Sequence, residues 1–389
     1  MSHLNLISAF MGVGLESDSP IEADVLSIEG DDVKANPTDI ENELNIFESG
    51  KAANDTADAL DVMVDVLEGV GTVREGLVSE SGEVTNLTLV SETIISLTME
   101  NYADRLPGLV GTSISMEGLA DTLKNIWEAI KKALVAFFEK MKDFFLSLFK
   151  GIDQWEKRAR ALVKSNAKNG PLEISNLSQV AVAGEARIAD VIKGVDNLRA
   201  FTENVVDTEV NIAEELNAAL SKVRVGTVWD TKATEKIRDA KDVANAARKK
   251  AYDKRFDLPG NIVNVLDPES GLVRFDTPLR YPVIPDKVVV DNASNVHSLG
   301  SALVNMIVVM RRGKAMIERL SKDNEKVRAS LSKQISDAWI FGSPADRTAV
   351  RAVLRASKTT TEMRNIAIAY NQGYKSLKSI VVMAERLTA

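Results

Sequence analysis

From Leu119 to Leu148 the apolar residues Leu119, Leu123, Ile126, Trp127, Ile130, Leu134, Phe137, Phe138, Met141, Phe144, Phe145 and Leu148 recur mostly at spacings of three and four. Lys124, Glu128, Lys131, Lys132, Glu139, Lys142 and Asp143 fill the positions between them. That period places one continuous apolar stripe on one side of an α-helix and charge on the other. Gly118 and Gly151 bracket the run and no proline interrupts it. An unbroken helix of that length spans about 48 Å. Ile152 and Trp155 extend the pattern toward Arg160. A helix so long and so one-sided needs other helices to cover it, or a membrane surface to lie on. Both readings stay open, the first being the expectation.

The rest of the chain supplies the covering helices. Ile188, Ile192, Val195, Leu198, Val205, Ile212, Leu216 and Leu220 keep the helical spacing. A second helix is expected from about Thr231 to Lys254, and a third through Val296, Leu299, Leu303, Met306, Met310, Ile317 and Leu320. The last helices use Val350, Val353, Met363, Ile366, Tyr370, Tyr374, Leu377, Val381 and Ala384. Five of the ten prolines fall within 257–287, around the β-type runs Ile262 to Leu266 and Leu272 to Phe275. Asp267-Pro268-Glu269-Ser270-Gly271 joins those runs, which reads as a hairpin. The expected fold is mainly α: an elongated multi-helix assembly with a small β-hairpin insertion near 257–290.

Charge divides the chain more sharply than periodicity does. Residues 1–117 hold 23 acidic and 4 basic residues, a net of −19, whereas 118–389 hold 33 acidic and 44 basic, a net of +11. The expected organisation is an acidic leader over 1–117, a helical region over 118–256, the β insertion over 257–290 and a basic helical region over 291–389. Within the leader, the first 40 residues show no sustained period and read as flexible. "PTDIENELNIFES" from Pro37 opens like a helix, and Ala57, Leu60, Val64 and Leu67 continue helical spacing.

Several chemistries find no residues here. Cysteine is absent, which removes disulfides and thiolate chemistry, and two histidines, His3 and His297, are too few for a His-based metal centre or triad. No Gly-rich phosphate loop and no calcium loop is present, so no catalytic, cofactor-binding or metal-binding residue is assigned and no small-molecule substrate is expected. His297, beside the apolar positions of its helix, reads as structural. The protein is expected not to be an enzyme. The C-terminal helical region carries local clusters of basic residues. Arg311, Arg312 and Lys314 crowd one helical stretch, and Arg347, Arg351 and Arg355 recur every four residues. They read either as solvated helix surface or as a sequence-independent track for phosphates.

The sign of the charge reverses at Ser115-Met116-Glu117-Gly118, and the same pattern occurs at Ser27-Ile28-Glu29-Gly30. A capping box would place Glu three residues after Ser, and here it stands at two. A small residue, any residue and Glu in exposed chain suit a protease instead. The arrangement resembles the internal head (inner-body or prohead-core) proteins of giant tailed phages of the phiKZ type. Members of that family are made with acidic propeptides that the prohead protease removes after Ser/Ala/Gly-x-Glu. The passage "MEGLADTLKNIWEAIKKALVAFFEKMKDFF" is similar to the start of such mature proteins. The tripeptides Gly14-Leu15-Glu16, Ser81-Gly82-Glu83 and Ala183-Gly184-Glu185 also fit the rule, the last inside what reads as helix.

The resemblance implies a non-enzymatic virion protein, in the host cytoplasm during assembly and then inside the capsid. Its partners would be the prohead protease, other head or core proteins and packaged DNA, with membrane contact a lesser expectation. Its mature part would associate with the DNA and could leave with it. A membrane-active amphipathic protein, or a helical structural component of the virion, is the alternative.

Overall fold

The computed structural model describes residues 42, 44–57, 116–166, 172–175, 177–221, 231–268, 270–281, 287–290, 295–341 and 360–388. Among them the chain is mainly helical. Helix α1 covers 44–57, α2 Met116–Leu162, α3 Ile188–Ser221, α4 Thr231–Tyr252, α5 Val296–Phe341 and α6 Thr360–Arg386. The five strands are β1 Leu172–Ser175, β2 Asp257–Leu258, β3 Ile262–Leu266, β4 Val273–Asp276 and β5 Lys287–Val290. Helix α3 packs on α4, α5 and α6, and α2 packs on α5 and α6. The antiparallel sheet β2-β3-β4 lies against α3, α4 and α6.

The apolar stripe of α2 is core. Phe137, Phe144, Leu148 and Ile152 are fully buried, and Phe138, Met141, Phe145 and Trp155 nearly so. That face is therefore already covered by protein from Phe137 onward, which favours core over membrane surface. No helix among the described residues is long and apolar enough to cross a membrane. The expected positions of α5, from Val296 to Leu320, are likewise buried, as are Met363 to Ala384 of α6.

The start of α2 differs from expectation. Helix α2 begins at Met116, so Met116, Glu117 and Gly118 lie in its first turn rather than ahead of it. It runs through Gly151 to Leu162, the continuation that Ile152 and Trp155 suggest. Gly151 does not end the helix because its missing side chain makes room for another: a Cβ there would lie 2.6 Å from Cε2 of Tyr374 on α6. The Tyr374 hydroxyl, at the end of the same ring, accepts a hydrogen bond from Trp155 Nε1 at 3.2 Å. Glycine in a helix interior costs about 1 kcal/mol against alanine, and here the buried ring offsets it.

The end of α2 explains His297. Its Nδ1 lies 2.5 Å from the carbonyl oxygen of Val163, one of the helix-terminal acceptors that lack an intrahelical donor. The structural reading of this residue holds. His297→Ala should cost about 0.5–1.5 kcal/mol, the net worth of one such bond. Urea unfolding of the two proteins checks it.

The hairpin forms as the sequence suggests, with Val263 opposite Asp276 and Leu266 opposite Val273. Gly271 supplies the left-handed turn residue, φ +70°. Strand β5, by contrast, pairs antiparallel with β1, Leu172 opposite Val290, so the proline-rich segment is tied back to the chain just after α2.

Candidate functional site

Three groups of residues invite a functional reading: the Ser-x-Glu-Gly segments, the basic stretch of α5, and a cluster of buried charge that sequence reasoning did not find.

Of the first group, Ser27, Ile28, Glu29, Gly30 and Ser115 lie outside the described residues. Met116, Glu117 and Gly118 open α2, with their side chains also outside the description. Ala183-Gly184-Glu185 is not helical. Val182 and Glu185 bridge each other through backbone bonds of 2.8 and 3.0 Å, and Ala183 and Gly184 take φ of 51° and 85° between them. The Gly184 N–H donates to Asn261 Oδ1 at 2.7 Å, which fixes the turn from outside. The helical period that suggested otherwise starts only at Ile188.

The basic stretch is partly committed to holding helices together. Arg311 reaches Asp153 and Glu156 of α2, each at 2.5 Å, and Glu156 also accepts from Arg160 Nε at 2.7 Å. Lys314 stands 5.5 Å from the ring centre of Phe149. Arg319 pairs with Glu214 of α3 at 3.1 Å. Pairs at a surface contribute at most about 1 kcal/mol each, and each carboxylate offsets the charge of the arginine it meets. Arg312 is exposed and forms no ion pair with a described residue. Arg347, Arg351 and Arg355 lie outside the described residues.

The buried cluster joins three helices and the hairpin. Glu209 on α3 is wholly buried and receives Arg248 Nε at 3.0 Å and Arg248 Nη2 at 2.8 Å. The Tyr252 hydroxyl and Asn365 Nδ2 each donate to Glu209 Oε1 at 2.6 Å. Arg248 also pairs with Glu362 at the start of α6. Asn365 completes the link to the hairpin, donating to the Gly271 carbonyl at 3.1 Å and accepting from Val273 N–H at 2.8 Å.

Burial pushes the Glu209 carboxyl up, against the pull of Arg248 and Tyr252. Burial also lowers the Arg248 guanidinium, but Glu362 and Glu209 more than reverse this and its proton is held more firmly than usual. Two carboxylates around one arginine, closed from solvent, form a structural joint with no access for a substrate.

A signal for this cluster was present. Val205, Glu209, Ile212 and Leu216 follow one stripe, so Glu209 occupies a core position. Ala244, Arg248 and Tyr252 do the same on α4. A charge at an apolar position of a helix must find a buried partner. Among the described residues, no group of three or more His, Cys, Asp or Glu could hold a metal ion.

The family described as phiKZ-like phage internal head proteins matches residues 39–367, well over half of the 389. No curated protein and no solved structure matches the chain.

Proposed function

We infer from one premise, that the chain belongs to the phiKZ-like phage internal head proteins and so resides inside the capsid with other head components, a division of labour between its two parts. The acidic leader 1–117 is removed by the prohead protease after Ser115-Met116-Glu117 during maturation, with an earlier cut after Ser27-Ile28-Glu29. The remaining 118–389 associates with packaged DNA as a non-enzymatic virion protein and can leave the head with it.

The reversal of net charge at Ser-Met-Glu-Gly carries this reading: −19 before it, +11 after it. A part with that excess of Lys and Arg gains affinity for duplex DNA by releasing counterions from the phosphates it neutralises. The leader, of opposite sign, competes with DNA for the same groups until it is gone. Arg312 is the leading described contact. Arg311 and Lys314 beside it, and the stripe Arg347, Arg351 and Arg355, extend the surface. The position of Met116–Gly118 in the first turn of α2 is compatible with cleavage, because a terminal turn opens at little cost.

The N-terminal peptides of protein recovered from native particles test the scission, and DNA binding of that form against the full chain tests the mask. We expect Gly118 as the main N-terminus, and tighter DNA binding with a steeper salt dependence than the full chain shows. Abundant peptides spanning Glu117–Gly118, or equal binding by both forms across a salt titration, would overturn the corresponding half.

A further inference from the structure

Helix α1 lies within the acidic leader, yet it is not separate from the rest of the molecule. Ile46, Gly50, Ala53 and Ala57 are buried, while Glu48, Lys51 and Asp55 are exposed. The intervals of four, three and four put the buried residues on one face of the helix. Ala53 and Ala57 are 1% and 0% exposed, and with Ile46 they belong to one continuous apolar cluster that includes Phe137, Leu198, Leu303 and Ile366. Three of the four inward residues are small, so the helix backbone can lie close against what it covers. The family match begins at residue 39, just ahead of this helix, so the helix is part of what the family shares.

We propose that this face is a clasp: residues 44–57 dock the leader on the body of the protein and keep it bound after the chain is cut between 117 and 118. The occupant of the apolar strip on the body is thus the leader's own helix. Departure of the leader then becomes a second event, separate from scission, and it exposes that strip inside the head. Before the cut, docking is intramolecular and favoured by a high effective concentration; afterwards it depends on the affinity of the face alone. Opposite net charges on the two parts add a second attraction, which salt screens, whereas apolar burial persists. The proposal rests on the leader reading above, but its test does not depend on where the natural protease cuts.

The test uses the full chain with a recognition sequence for a specific protease inserted between Glu117 and Gly118. After cutting, gel filtration is run in dilute buffer and in about 1 M salt, where the screening length falls to about 3 Å. The leader fragment should stay with the body in both. Ala53→Asp, which places a charge in the buried stripe, should lower retention about tenfold or more, as should Ala53→Leu, which is too large for it. Glu48→Ala, on the outward face, should leave retention unchanged. Melting curves of the uncut variants establish that the body remains folded. Immediate separation of the wild-type fragments, retention lost in high salt, or retention indifferent to both Ala53 variants would each overturn the clasp. A native N-terminus other than Gly118 would sink the processing site while leaving this result standing.

Discussion

Arg248→Met is expected to destabilise the protein by about 3–5 kcal/mol, the range found when one partner of a buried ion pair is removed. Methionine fills much of the arginine's volume, so the loss is not chiefly a cavity. It comes from Glu209 and Glu362, which stay buried without the guanidinium between them. Tyr252 and Asn365 still donate to Glu209, but neither carries a charge to balance it. The joint ties α3, α4 and α6 to the hairpin through Asn365, so the whole helical body should unfold at lower urea in one transition rather than fray at an end.

The triple change Arg248→Met, Glu209→Gln and Glu362→Gln separates the cause. It removes all three charges and leaves an amide oxygen at position 209 to accept from Tyr252 and Asn365, so at least half of the loss should return. Replacing a whole buried ion set is often close to neutral, and residues in one network do not add independently. A triple variant as unstable as Arg248→Met alone would mean that packing, and not unpaired charge, is what the arginine supplies.

What the sequence could and could not disclose follows from the range over which each signal acts. The α2 stripe and the hairpin 262–276 are local: spacing of three and four, or β-type runs around Asp-Pro-Glu-Ser-Gly, suffices to read them. The pairing of Leu172–Ser175 with Lys287–Val290 joins segments more than a hundred residues apart, and neither four-residue run signals the other. Continuation past Gly151 was legible in Ile152 and Trp155, but the reason for a glycine there was not, because Tyr374 comes from a helix over two hundred residues later. Of the candidate site, the motif at Ser115–Gly118 and the charge reversal were legible, whereas the ties of Arg311 to Asp153 and Glu156 were not. The burial of Ala53 and Ala57 in the common core was hidden as well, since alanine at helical spacing fits a solvated leader equally well.

Gly313→Ala is expected to reverse the usual sign of that substitution. In a solvated helix interior, alanine stabilises by up to about 1 kcal/mol over glycine. At position 313 of α5, a Cβ would lie 1.8 Å from the hydroxyl oxygen of Tyr370 and 3.0 Å from its Cζ. That hydroxyl donates to the Met310 carbonyl at 2.9 Å, in the same turn of α5, so it needs bare backbone to reach its acceptor. The Tyr370 ring is fully buried and meets Phe145 and Phe149 of α2 edge-on, each with centroids 5.9 Å away. It therefore cannot slide aside without opening the junction of α2, α5 and α6. Either the helices part or the ring leaves, and both approach the cost of deleting a buried aromatic, about 3–5 kcal/mol. Tyr370→Phe removes only the hydroxyl. Alone it should cost about 0.5–1.5 kcal/mol, the bond to Met310. Combined with Gly313→Ala it should recover a large part of the loss, because the closest clash is gone. Melting temperatures of the two single variants and the double close the cycle, and the coupling between them is the quantity to read. Gly313→Ala with an unchanged or raised melting temperature would show that α5 and α6 have slack at this contact, and that Tyr370 does not lock the three helices.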